Sequence, residues 1–125
     1  MGLLRFVTAI DPLADAEFCY LTTRGRRSGR PHRIEIWFVA HHGGAYLLSD
    51  SGTSDWCRNL LADPHVTLEI DGHRRDTVAR PVDASDPANA VVRGAMVAKY
   101  QPSDPQEDLR DWSETGWLVR VEWPA

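Results

Sequence analysis

The chain has 125 residues, 42% of them apolar, and a formal net charge of −4 from 18 acidic and 14 basic side chains. That length and content predict one compact domain, residues 1–125, with a modest core. No stretch approaches the roughly 18 consecutive apolar residues of a membrane span, and an acidic balance argues against nucleic acid as a partner.

The opening run Met1-Gly2-Leu3-Leu4-Arg5-Phe6-Val7 is too short, and too soon followed by Asp11, to read as a signal peptide. Cys19 and Cys57 fit no metal or redox spacing, so reduced thiols are the expectation. Together these features predict a cytoplasmic protein without stable membrane insertion and without a bound metal. Residues 3–16 read equally well as a short amphipathic helix or as a strand ending at Asp11-Pro12.

Glu17 to Thr23 is rich in β-formers and reads as a strand. Arg24 to Arg33 then holds five arginines in ten positions, with Gly25, Ser28, Gly29 and Pro31 among them. Such a segment turns and exposes N–H donors beside guanidinium forks, which suits an anion, phosphate above all. Pro31 to Ala40 reads as one strand, with Ile34, Ile36 and Phe38 on one face and Arg33, Glu35, Trp37 and Val39 on the other. Bulk on both faces predicts a central strand.

His41-His42-Gly43-Gly44 is a turn, followed by a strand from Ala45 to Ser49. Ser51, Thr53 or Ser54 can cap a helix reaching about Ala62, which Pro64 stops. His65 to Asp71 alternates with Val66, Leu68 and Ile70 inward, and Asp71-Gly72 turns the chain into a strand running to about Val82. Asp86-Pro87 opens a second helix carrying Val91, Ala95 and Ala98 on one side. Residues 101–115 read as loop or short helix, and Trp117 to Trp123 as a closing strand.

The prediction is therefore a mainly β (α+β) fold: a split antiparallel barrel of about six strands with two or three peripheral helices. A dinucleotide-binding α/β fold is disfavoured, because Gly25 and Gly29 make no G-x-G-x-x-G run and a strand follows them.

Leu21-Thr22-Thr23-Arg24-Gly25-Arg26-Arg27-Ser28-Gly29-Arg30-Pro31-His32 resembles the "TT-x-G-R-[KR]-SG-x-P" signature of the deazaflavin-dependent nitroreductase and quinone reductase family. Asp55-Trp56-Cys57-Arg58-Asn59-Leu60-Leu61-Ala62-Asp63-Pro64-His65-Val66 resembles its "W-x-x-N-L-x-A-x-P-x-V" segment, at the family's separation. That family lies in the FMN-binding split-barrel superfamily. The resemblance implies an oxidoreductase that passes a hydride from reduced deazaflavin, coenzyme F-420, to a small-molecule substrate: a quinone, a nitro compound or an activated alkene.

The resemblance places Arg27 on the cofactor's anionic tail and Ile34, Glu35, Ile36 and Trp37 along its ring. Arg26, Ser28 and His32 on the same turn are read as further tail contacts, His32 standing where the nitroreductase branch often has arginine. Ser49 and Asn59 are further cofactor contacts, and Trp56 and Tyr100 face the substrate. No catalytic side chain is implied, since the cofactor carries the chemistry. FMN in place of the deazaflavin is one alternative. A carrier of a cofactor, tetrapyrrole or fatty acid without turnover is another. Split barrels often pair, so a homodimer also belongs to the expectations.

Overall fold

The computed structural model describes residues 9–124. The expectation for residues 3–16 falls partly outside that range; within it, Asp11–Leu13 is a single 3-10 turn. Seven strands follow: β1 Cys19–Arg24, β2 Pro31–Ile36, β3 Val39–His41, β4 Gly44–Ser49, β5 His65–Ile70, β6 His73–Pro81 and β7 Trp117–Glu122. Three helices interrupt them: α1 Asp55–Ala62, α2 Ala88–Tyr100 and α3 Leu109–Thr115. The strands form one curled antiparallel sheet in the order β2-β1-β5-β6-β7-β4-β3. This is the expected split barrel.

The long strand β6 makes the sheet continuous. Its residues His73 to Val78 pair with β5, and Ala79 to Pro81 pair with β7. Two tight turns with positive φ at both central residues set the neighbouring hairpins, His42-Gly43 (45° and 75°) and Asp71-Gly72 (49° and 80°). Those angles match the right-handed strand twist, which is why glycine takes the second place in each.

Two apolar clusters lie on opposite sides of the sheet. The barrel interior gathers Cys19, Leu21, Phe38, Ala45, Leu47, Leu68, Val119 and Val121. The outer cluster, beneath α2 and α3, gathers Val39, Tyr46, Leu48, Val92, Met96, Tyr100 and Leu118. Ala45 and Leu47 of β4 feed the interior and Tyr46 and Leu48 the outer cluster, and the whole strand is buried.

Three expectations change. The strand predicted over Pro31 to Ala40 is broken at Trp37-Phe38, which raises the count from six to seven. The Phe38 backbone N–H, which a neighbouring strand would take, is bonded instead to the Tyr100 hydroxyl at 2.9 Å. Its two halves, β2 and β3, are the opposite edges of the sheet and neither is central. Ile34, Ile36 and Phe38 pack on the barrel interior and Trp37 and Val39 on the outer cluster with α2, while Arg33 and Glu35 are exposed. On α2 itself the buried side is Val92, Met96 and Tyr100, spaced i, i+4, i+8, while Val91 and Ala98 are exposed.

Candidate functional site

The β1–β2 connection is closed from within by its own backbone. Gly29 N–H donates to the Gly25 carbonyl, and Gly25 N–H donates to the Arg30 carbonyl, each at 2.8 Å. Gly29 takes φ +72°, a conformation that an L side chain resists. Ser28 Oγ accepts from Arg30 N at 3.1 Å and lies 3.5 Å from His32 Nε2. A Cβ on Gly25 would stand 2.6 Å from both Ser28 Oγ and His32 Nε2. The missing side chain is what lets serine and histidine meet over the turn.

The five arginines divide sharply. Arg24 pairs with Asp63 (3.6 Å), Arg26 with Asp55 (3.3 Å) and Arg33 with Glu69 (3.2 Å). Arg33 also lies over the Tyr20 ring at 4.1 Å. Arg27 and Arg30 are exposed, and among the described residues neither guanidinium has a hydrogen bond or a carboxylate partner. Two uncompensated cations at one turn, beside a hydroxyl and an imidazole, fit a phosphate or carboxylate tail.

Arg26 is a brace. It donates from its backbone N (3.2 Å) and from Nη1 (2.8 Å) to Asn59 Oδ1, and its guanidinium reaches Asp55. Asn59, 3% exposed, uses its Nδ2 on Thr23 Oγ1 at 3.2 Å. Those bonds fasten the turn to α1, the helix that carries Trp56. Trp56 is half-buried, packed against the barrel interior. Ser49, at the end of β4, is 7% exposed; its Oγ accepts from Gly52 N and faces Ser54 Oγ, both at 3.3 Å.

Along β2, Ile34 and Ile36 lean on the barrel interior, whereas Glu35 is exposed and accepts from the Tyr20 hydroxyl at 3.0 Å. Trp37 stacks on Tyr100 with centroids 4.2 Å apart and rings 5° from parallel. Tyr100 itself is 2% exposed. Its hydroxyl is bonded to Phe38 N, Phe38 O and Glu17 O, and burial pushes its pKa up to about 12. The residue expected to face the substrate is a buried strut, and a substrate has no surface of it to touch.

Two features escaped the sequence. Arg30 was indistinguishable from its neighbours, since only the long-range ion pairs of the other three arginines single it out. Trp112 of α3 sits edge-on to Trp37 at 5.9 Å and 81°. Its signal was Asp108, which caps α3 by accepting from Arg110 N at 3.0 Å.

A sequence model described as F-420H(2)-dependent quinone reductase matches residues 7–122. The chain belongs to that family. As a member of the F-420H(2)-dependent quinone reductases it is an oxidoreductase that draws on reduced deazaflavin, coenzyme F-420, and the FMN and carrier alternatives give way to that assignment.

Solved structures of the same fold include an F-420-H(2)-dependent reductase (19% identity, 85% of this chain and 94% of that one, TM-score 0.66). A second is the heme storage protein HutZ of Vibrio cholerae (20%, 94% and 91%, TM-score 0.68). A third, described as a domain-swapped dimer, is 18% identical over 85% of this chain and 80% of its own, at TM-score 0.66. At such identities the likeness establishes the split-barrel fold. No helix among the described residues is long and apolar enough to cross a membrane.

Proposed function

We propose that Arg27 and Arg30, with Ser28 and His32, hold the anionic tail of the deazaflavin, and that the ring lies along β2 from Ile34 to Trp37. The observation that carries this reading is the pair of unneutralised guanidiniums on a turn whose other three arginines are each tied to a carboxylate. Arg26 and Asn59 position the turn without touching the tail. Trp56 closes the α1 side of the same strip, and Ser49 orders the loop entering α1.

The bound cofactor supplies the hydride. The protein's share is orientation and shielding. Guanidinium forks fix one end of the ligand, which converts an encounter into a held geometry. The apolar Ile34 and Ile36 keep water from the flat end. The acceptor is a small molecule, with quinones first and nitro compounds or activated alkenes behind them. We also place the protein in the cytoplasm, where two buried free thiols are at home. A homodimer, as described for one structure of this fold, completes the reading.

The test is titration of the protein with F-420, comparing wild type with Arg27→Ala and Arg30→Ala. Removing either guanidinium takes away a charge-assisted hydrogen bond to the tail and weakens binding by about 1–3 kcal/mol. Affinity unchanged in both variants removes the turn from the site.

A further inference from the structure

At the end of β2 remote from the arginine turn lies a cleft of about 310 Å³, lined by Phe18, Glu35, Ile36, Trp37, Leu48 and Trp112. We propose that this cleft is the acceptor's seat, and that Glu35 at its rim selects flat aromatic acceptors that carry no negative charge. The proposal rests on the reading above, because the acceptor must reach a ring laid along β2.

Position comes first. β2 runs from Pro31 beside the turn to Ile36 in the cleft, roughly 17 Å at 3.3–3.4 Å per residue. The strand joins a cationic end to an aromatic one, and a molecule in the cleft touches Ile36 and Trp37, residues of the same ring-supporting strip.

The walls are aromatic and fixed. Trp37 is clamped against Tyr100 by parallel stacking, and the Tyr100 hydroxyl is anchored to backbone on both sides. Trp112 stands at 81° to Trp37, and both tryptophans are half-buried. Two indoles set nearly at right angles thus line the cleft, and aromatic surface of this kind attracts a flat aromatic molecule. Ile36 and Leu48 supply an apolar floor.

The charge is one-sided. Glu35 accepts from a neutral phenol, and no cation pairs with it among the described residues. The nearby guanidinium of Arg33 is committed to Glu69 and to the Tyr20 ring. Among the residues that line the cleft, Glu35 is the one charged side chain. An anionic acceptor meets repulsion there, whereas a neutral quinone meets none.

The test uses menadione and 1,4-naphthoquinone-2-sulfonate, a flat pair that differs in charge. With reduced F-420, wild type prefers menadione, and Glu35→Gln narrows the ratio of the two kcat/KM values by about fivefold. Trp112→Ala raises the menadione KM by at least about fivefold and leaves F-420 affinity as in wild type.

Saturation-transfer NMR on cofactor-free protein gives a readout independent of turnover: menadione signals appear with wild type and fade with Trp112→Ala. If Trp112→Ala fails to fold, the exposed Glu35→Gln decides alone. An unchanged kcat/KM ratio in Glu35→Gln, or undiminished menadione signals with folded Trp112→Ala, overturns the cleft. Failure of wild type to bind F-420 overturns the arginine-turn reading instead, and the cofactor-free NMR result still judges the cleft.

Discussion

Asn59 Oδ1 accepts twice from Arg26, once from the backbone N at 3.2 Å and once from Nη1 at 2.8 Å, and so ties the β1–β2 turn to α1 through one buried atom. Asn59→Ala leaves the Thr23 hydroxyl and the Arg26 N–H without that partner. The expected cost is about 1–3 kcal/mol of stability, the range for orphaned buried polar groups, together with weaker F-420 binding from a loosened turn. Urea denaturation and a parallel F-420 titration check both; undiminished stability would mean that Asn59 does not brace the turn.

Gly25→Ala is expected to act differently. Its Cβ would collide with Ser28 Oγ and His32 Nε2, both side-chain atoms that can swing away. Stability then falls little, while the two groups expected at the tail are displaced. We expect at least a fivefold loss of F-420 affinity with a melting temperature near that of wild type. A large fall in melting temperature with retained affinity would contradict this.

Tyr100→Phe removes the acceptor of the Phe38 N–H and a donor to the Glu17 carbonyl. The expected loss is about 1–3 kcal/mol, with hydrogen exchange accelerating at Phe38 ahead of the strand interiors. Acceptor KM is expected to change less than stability, because the residue is a strut. A selective KM effect in a protein of wild-type stability would restore Tyr100 to the substrate surface.

Acid is expected to destabilise the fold in a defined window. The Arg110 side chain, followed by the Arg110 backbone N–H, brings Asp108 down to about 2. His65 holds Asp63, and Arg120 holds Glu122, below their ordinary values. A carboxyl whose folded pKa is depressed contributes stability above its unfolded value, and that contribution is lost as pH falls through the folded one. Melting temperatures should therefore be level above about pH 5 and fall progressively toward pH 2. A flat profile down to pH 3 would contradict the assigned contacts.

Much of the fold was legible because its signals are local. Val66, Leu68 and Ile70 alternate inward as the sequence requires, and Asp71-Gly72 forms the turn its residue types specify. The break at Trp37-Phe38 was hidden, since β-forming residues run straight through it and its cause, the Tyr100 hydroxyl, lies 62 residues away. The site was legible to a similar depth. Its arginine turn stands out in the sequence, but the division into braced and free guanidiniums depends on Asp55, Asp63 and Glu69. Pairings across such separations leave no periodic trace.

Because β6 belongs to both halves of the barrel, its alignment is enforced twice over. A slip by a single residue would turn Ala79 out of the interior and at the same stroke misplace the partners of Thr67 and Leu68. Neither half can settle into an error that the other tolerates, so the cofactor's strip and the acceptor's cleft inherit one common frame.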